Sequence, residues 1–351
     1  MYIKKTFTTL EMAWWTRFET LAFLLIITAW VAAYYFLDLG WLKIPWTPLA
    51  LIGTAVAFVI GFQNNAAYDR IWEARKIWGG IVNTSRTFGM YVQAMLSNEY
   101  AKSPQSVDQL NSEIKTLTYR HIAWITALRH AMRMPRTWEI SVNHRTNREW
   151  NVRPPELESS LEKDIKPYIS QEDFDYVMRM NNKQTAMLYL QSRHLKELKE
   201  KGIVWEFSFL ELEGILQELF THQGKSERIK NFPYPRQFAT LNHFFMWIFI
   251  LMLPMAMVPQ FMGIGNELLE TRPLIADLFV WLSIPFYVII AWVFHTMERI
   301  GRTGENPFEG TANDVPISTI ARGIEMDLRQ NLGEIEKEIP AQFPIKHNTQ
   351  F

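Results

Sequence analysis

Apolar residues are gathered into four blocks, while charged residues collect between Tyr68 and Arg236 and again after Glu298. Phe18 to Leu37 is a run of about 20 residues with only Glu19 charged, enough at ~1.5 Å per helical residue to cross the ~30 Å hydrocarbon core of a bilayer. Pro48 to Phe62 is shorter, but a helix begun near Pro48 can continue through Gln63, Asn64 and Asn65 where those amides face protein or water. It predicts a crossing that runs on into a cytosolic helix. Phe238 to Phe261 is apolar apart from Asn242, His243 and Gln260, with Pro254 and Pro259 expected to kink or end the helix. Leu274 to Val293 forms the fourth block, with Asp277 near its start and Pro285 at its middle. A buried helix of a soluble protein is the alternative for any one block, but not readily for all four.

Between the second and third blocks the pattern is helical, with little strand character. Arg120 to Met134 places Ile122, Ile125, Leu128 and Met132 at helical spacing, and Met187 to Leu198 and Phe209 to Phe220 repeat the pattern. Arg153-Pro154-Pro155 and Phe232-Pro233-Tyr234-Pro235 read as breaks. Past Asn306-Pro307-Phe308 come a polar turn, a charged helix from about Ile317 to Glu338, and a tail expected to be disordered. The chain thus divides into an amino-terminal segment with two spans (1–67), a cytosolic helical region (68–235), two further spans (236–298) and a cytosolic carboxyl-terminal segment (299–351). The fold class is all-α, an integral membrane protein.

Charge refines the picture without adding a partner. The 36 basic and 36 acidic residues cancel, which gives no reason to expect nucleic acid. There is no cysteine, so disulfides, thiolate catalysis and cysteine-held metals are excluded. Lys4, Lys5, Glu11 and Arg17 precede the first block without a small-residue cleavage pattern, which predicts a retained span rather than a removable signal. Only Lys43 lies between the first two spans and only Arg272 between the last two, so the basic-residue bias places both termini in the cytoplasm of a multi-pass protein of the cell (inner) membrane.

Other motifs carry little chemistry. The histidines form neither His-Glu-x-x-His nor Glu-x-x-His, and His243 and His295 read as interhelical donors near span ends. Gly224-Lys225-Ser226 lacks the earlier glycine of a phosphate loop, having Leu219 there. Asn83-Thr84-Ser85 fits a glycosylation acceptor but falls on the cytoplasmic side. A membrane-anchored enzyme or sensor, with its site between Tyr68 and Pro235, is a different-class alternative; no nucleophile–base pair or metal cluster there is recognisable by spacing.

The second span holds the informative pattern. Residues four apart differ by ~40° around a helix, so Thr54, Phe58 and Phe62 form a gently winding stripe, beside a second stripe of small residues, Gly53, Ala57 and Gly61. Small residues at this spacing let membrane helices approach closely. Bulky rings brought to a shared axis would exclude water and offer a passing ion their positive edges, which suits an anion. Spacing alone leaves a second reading open, in which both rings pack between helices. Asp69, Arg70, Glu73 and Arg75 follow at helical spacing, either as vestibule charges or as structural ion pairs.

The run from Gly61-Phe62-Gln63-Asn64-Asn65-Ala66-Ala67-Tyr68-Asp69-Arg70 through Ile77-Trp78-Gly79 and Val82-Asn83-Thr84-Ser85-Arg86 resembles the bestrophin family of pentameric ion channels, in particular its bacterial members. Glu227-Arg228-Ile229-Lys230 with Pro233, Pro235 and His243, and Glu305-Asn306-Pro307-Phe308 with Asn313-Asp314-Val315-Pro316, extend the likeness. The resemblance implies five copies around one axis with Thr54, Phe58 and Phe62 as the neck. Many bacterial relatives carry aliphatic residues at the first two positions, and animal members conduct anions while some bacterial ones pass cations. The two rings favour chloride and similar monovalent anions here, with a sodium or potassium channel of the same architecture as the alternative.

Animal relatives hold calcium in a clasp after the Asn-Pro-Phe motif. Here Thr311 stands at one clasp carboxylate position and Asp314 at the other, so no cofactor is expected, and Asp314 reads rather as a cap or turn residue. A second, cytosolic aperture falls near Met187 and Leu188, where ordinary helix packing is an equal reading.

Overall fold

The structure is a computed structural model and describes residues 1–37, 39–139, 145–150 and 153–351; the Thr146 and Asp277 side chains also lie outside what is described. Its helices, in chain order, are α1 (Thr9–Trp15), α2 (Arg17–Phe36), α3 (Trp46–Met95), α4 (Val107–Arg133), α5 (Arg145–Glu149), α6 (Leu161–Ile165) and α7 (Gln171–Arg179). They continue as α8 (Lys183–Lys201), α9 (Glu206–Asn231), α10 (Arg236–Leu268), α11 (Pro273–Phe279), α12 (Ser283–Gly304) and α13 (Ile317–Asn331). The protein is all-helical among the described residues. Among the described residues, four stretches are long and apolar enough to cross a membrane: α2, the first part of α3, α10, and α11 with α12.

The chain forms two compact units, one of residues 4–69 and 234–305, the other of residues 1–3, 70–233 and 306–351. The membrane-type unit has a core of Phe23, Ile27, Val31, Val56, Ile60, Met246, Ile250, Leu253, Tyr287 and Ala291, drawn from α2, α3, α10 and α12. Outside that core, Leu21, Leu25, Phe244, Leu251, Phe286 and Ile289 are exposed, as side chains bathed in lipid would be.

Helix α10 continues through Pro254 and Pro259 and ends at neither. Each proline removes an N–H and orphans the carbonyl four residues earlier. Both carbonyls find donors elsewhere in the unit: the Tyr287 hydroxyl donates to Ile250 O at 3.2 Å, and the Ile44 N–H donates to Met255 O at 3.3 Å. The fourth span breaks earlier than Pro285. A 3₁₀ turn at Val280–Leu282 separates α11 from α12, and Pro285 falls in the first turn of α12, where no N–H is needed.

The helical unit is built around α4, which is buried on nearly every side from Leu117 to Arg133 and packs against α6, α8, α9 and α13. Most polar groups on such a helix are paired, although His121 Nε2 is buried without a hydrogen-bond partner. Trp124 Nε1 donates to Gln223 Oε1 at 3.0 Å, and Arg120 donates to Asp173 Oδ2 at 2.8 Å and Gln191 Oε1 at 3.1 Å. Its start is set by Ser106 and Gln109, which cap each other's backbone N–H reciprocally.

The carboxyl-terminal segment differs from expectation. Helix α13 stops at Asn331 rather than near Glu338, because Gly333 and Glu334 turn back to donate to Gln330 O and Arg329 O. The tail beyond it is packed, not loose. The guanidinium groups of Arg129 and Arg322 both approach the Phe343 ring, Lys346 pairs with Glu158 at 2.8 Å, and Phe351 is buried.

Candidate functional site: the exposed stripe of the second span

Helix α3 shows its own unit one face and leaves another uncovered. Leu49, Gly53, Val56, Ile60, Gln63 and Ala67, spaced by three or four, are buried. Thr54, Phe58 and Phe62 lie on the uncovered side, and Phe58 and Phe62 are 65% and 70% exposed within the protomer. The rings are therefore not packed among their own chain's helices. They border a groove of about 750 Å³ shared with Ala57, Gly61, Phe249 and Phe294. Thr54 donates its hydroxyl back to Ala50 O at 2.9 Å, so its side chain turns a methyl group and an acceptor oxygen outward.

The three small residues have different neighbours. Gly53 takes the ring of Phe249 from α10, whose Cε2 would lie 2.7 Å from an added Cβ, whereas nothing stands within 4 Å of such an atom at Gly61. Ala57 is exposed. The small-residue face thus begins against the chain's own α10 and opens toward Gly61.

Beyond the stripe, the four charged residues divide. Arg70 donates to Phe232 O at 2.8 Å and Ile229 O at 3.2 Å, and Glu73 accepts from Arg228 at 2.5 Å. Both are structural ties to α9. Asp69 and Arg75 are exposed. Met187 and Leu188 are buried, at 0% and 5% exposure, in the core of the helical unit, while Tyr189 between them and Leu190 is 60% exposed.

Asp314 sits at the centre of a buried loop. Its carboxylate accepts the backbone N–H groups of Phe308 (2.9 Å), Gly310 (2.6 Å) and Val315 (2.6 Å), together with Arg133 Nη1 at 3.0 Å. Four donors fill the oxygens that a cation would need, and the Arg133 guanidinium brings the positive charge. Calcium wants six to eight oxygens, usually with several carboxylates; the residues around Asp314 do not fit it. Among the described residues no three His, Asp or Glu side chains gather as a metal site.

Glu156 and Asp164 extend this cluster. Burial pushes the Glu156 carboxyl up, but the charges of Arg133 and Arg129 outweigh it and hold it below its usual range. Burial likewise opposes ionisation of Asp164, yet hydrogen bonds from His130 and Ser159 and the charge of Arg129 lower it from 3.8 to about 2. A depressed carboxyl stabilises the fold fully above its unfolded value and loses that contribution as pH falls through the folded one. The helical unit is therefore expected to weaken between about pH 4 and pH 2, with a shallower decline in Asp164→Asn, read by circular dichroism of the detergent-solubilised protein. An unchanged acid profile in that variant would remove Asp164 from the account.

Four helical stretches long and apolar enough to cross a membrane, joined to a polar helical unit, give the chain the make-up of a polytopic helical membrane protein. The chain belongs to the bacterial and fungal bestrophin family, whose profile matches residues 16–268 and 273–330. A relative from Escherichia coli strain K12, the voltage-dependent anion channel-forming protein YneE, is 25% identical over 307 residues, covering 87% of this chain and 83% of that protein. The voltage-dependent anion channel-forming protein RSc3414 of Ralstonia nicotianae is 26% identical over 288 residues, 82% of this chain and 78% of its own. In fold the chain is similar to a bacterial bestrophin homolog from Klebsiella pneumoniae solved by crystallography, with TM-score 0.69 and 19% identity over 91% of this chain and 98% of that one.

From sequence, Gln63 stands out only as an amide that must face protein or water and Asn242 only as a polar break in an apolar block, and Arg133 carries no assigned role. Gln63 shares the three-and-four spacing of Val56, Ile60 and Ala67, which ties it to their face of the helix but does not by itself say that this face is the buried one. Arg133 gave no signal, because its partner lies 181 residues away.

Proposed function

We propose that this protein is a channel rather than an enzyme, passing monovalent anions, chloride foremost, passively across the cell membrane. Five copies would surround one axis, each turning Thr54, Phe58 and Phe62 inward as a narrow neck. The observation that carries this reading is the exposure of Phe58 and Phe62 on a membrane span, at 65% and 70%, beside an open apolar groove that a neighbouring copy would cover. A dry ring of aromatic edges excludes a hydrated cation more strongly than an anion. The relatives named as anion channel-forming proteins support the same choice of ion. The basic-residue bias supports a cytoplasmic position for both termini. Calcium has no part in opening, since Arg133 already serves the Asp314 carboxylate.

Reversal potentials across planar bilayers with asymmetric salt test this. The wild-type protein is expected to reverse toward the chloride potential and to ignore a calcium chelator on either face. Phe58→Ala is expected to widen the neck, raising conductance and lowering chloride-over-sodium selectivity severalfold, about the scale of losing one well-placed contact. Reversal toward the sodium potential would replace the anion reading by a cation channel, and unaltered currents in Phe58→Ala would move the neck elsewhere.

A further inference from the structure

The neck reading requires that α3 be held at one rotation, since each residue of slip turns a helix by ~100° and would carry the rings off the axis. Apolar ridges such as Leu49, Val56 and Ile60 resist such slip only by shape. An amide pair in an apolar interior is stricter, because a small rotation leaves both groups without partners.

One such pair exists. Asn242 Nδ2 on α10 donates to Gln63 Oε1 on α3 at 3.0 Å, with Gln63 1% and Asn242 4% exposed. The next residue, Asn64, meets a different helix. A Cβ built at Gly301 of α12 would stand 2.3 Å from Asn64 Oδ1 and 3.3 Å from Gln63 Cγ, so Asn64 has room there only because residue 301 has no side chain. Gln63 Nε2 and Asn64 Oδ1 are both buried without a further partner. Consecutive amides on α3 are thereby seated on α10 and on α12. At ~100° per residue the midpoint of these two contacts lies roughly 150° around the helix from Phe62 and about 170° from Phe58, on nearly the opposite side.

We propose that Gln63 and Asn64 are positioning residues for the neck: by engaging Asn242 and Gly301 they set the rotation of α3 that turns Phe58 and Phe62 out of their own protomer. This rests on the neck reading above and adds to it which groups control its geometry. Neither residue touches the ion. The pair acts through the rings.

The test uses the full chain reconstituted in planar bilayers, with iodide and chloride as probes and the iodide-to-chloride permeability ratio as readout. Gln63→Asn shortens one arm of the pair and Asn242→Gln lengthens the other; the two together restore the span. Each single variant is expected to shift the ratio about twofold or more, the lower end of coupling between contacting residues, and the swap to bring it back near wild type. Gly301→Ala, which presses a methyl group into Asn64 from the other helix, is expected to shift the ratio as well and covers the case in which a single amide variant fails to assemble. A bond of merely structural value would lower the unfolding midpoint of the single variants and leave the ratio unmoved. That outcome, with Phe58→Ala still altering the ratio, overturns the positioning role alone. An unmoved ratio in Phe58→Ala too overturns the neck and the positioning role with it.

Discussion

Arg133→Leu is expected to destabilise the helical unit by about 3–5 kcal/mol, the range for removing one partner of a buried ion pair. The Arg133 side chain is wholly buried, and the two carboxylates it faces, Asp314 at 3.0 Å and Glu156 at 3.7 Å, are 4% and 1% exposed. Glu156 would keep Arg129, whereas Asp314 would lose the guanidinium that faces it. Asp314 would keep three backbone donors, but a net charge in a low-dielectric interior still has to be compensated or protonated. The loop it organises, from Phe308 to Val315, would then lose its centre.

Denaturant unfolding of the detergent-solubilised protein checks this, with Arg86→Leu as the comparison. Arg86 also forms a close pair, with Asp327 at 2.7 Å, but its side chain is 58% exposed. Its loss is expected to cost no more than about 1 kcal/mol, as solvent screens and replaces such pairs. Equal effects in the two variants would mean that the Asp314 loop is more hydrated than its packing indicates.

How much of this was legible beforehand depended on the range of the physics involved. The four spans were, because each is a local concentration of apolar residues that must be removed from water whatever the tertiary arrangement. The helices around Ile122, Met187 and Phe209 were legible for the same reason, through the spacing of their apolar positions. The continuation of α10 past its two prolines was not. Whether a proline ends a helix depends on who serves the orphaned carbonyl, and here the servers are Tyr287 and Ile44, neither of them near Pro254 or Pro259 in sequence.

The stripe itself was only half legible. Periodicity puts Thr54, Phe58 and Phe62 on one face, but Val56 and Ile60 are equally apolar, and nothing local says which face meets α10 and α12. That choice is made by Phe249 filling the space at Gly53 and by Asn242 reaching Gln63, both contacts across nearly two hundred residues. The same limit explains Asp314. One carboxylate in a motif suggests a metal or a cap; the guanidinium that occupies it comes from α4.

Gly202→Ala is expected to cost roughly 2–5 kcal/mol, combining a left-handed backbone with an overpacked contact. Gly202 ends α8 with φ of +77°, and an added Cβ would fall 2.2 Å from Tyr100 O and 2.9 Å from Tyr100 C. Those are backbone atoms, which cannot swing aside as a side chain would. The turn is also tied down on both flanks: Ser97 N donates to Ile203 O at 3.0 Å, Lys102 N donates to Lys201 O at 3.2 Å, and Gly202 N donates to Lys199 O at 2.9 Å. To admit a methyl group the chain would have to surrender the bonds that join the end of α3 to the α8–α9 corner. Gly214→Ala provides the contrast, because that position is in the interior of α9 with nothing within 4 Å of a new Cβ. There the substitution is expected to stabilise by about 0.5–1 kcal/mol through helix propensity alone. Opposite signs in thermal unfolding of the two variants would confirm that the Gly202 corner is held by backbone contact, and a neutral Gly202→Ala would show that the loop from Ser97 to Lys102 yields to it freely.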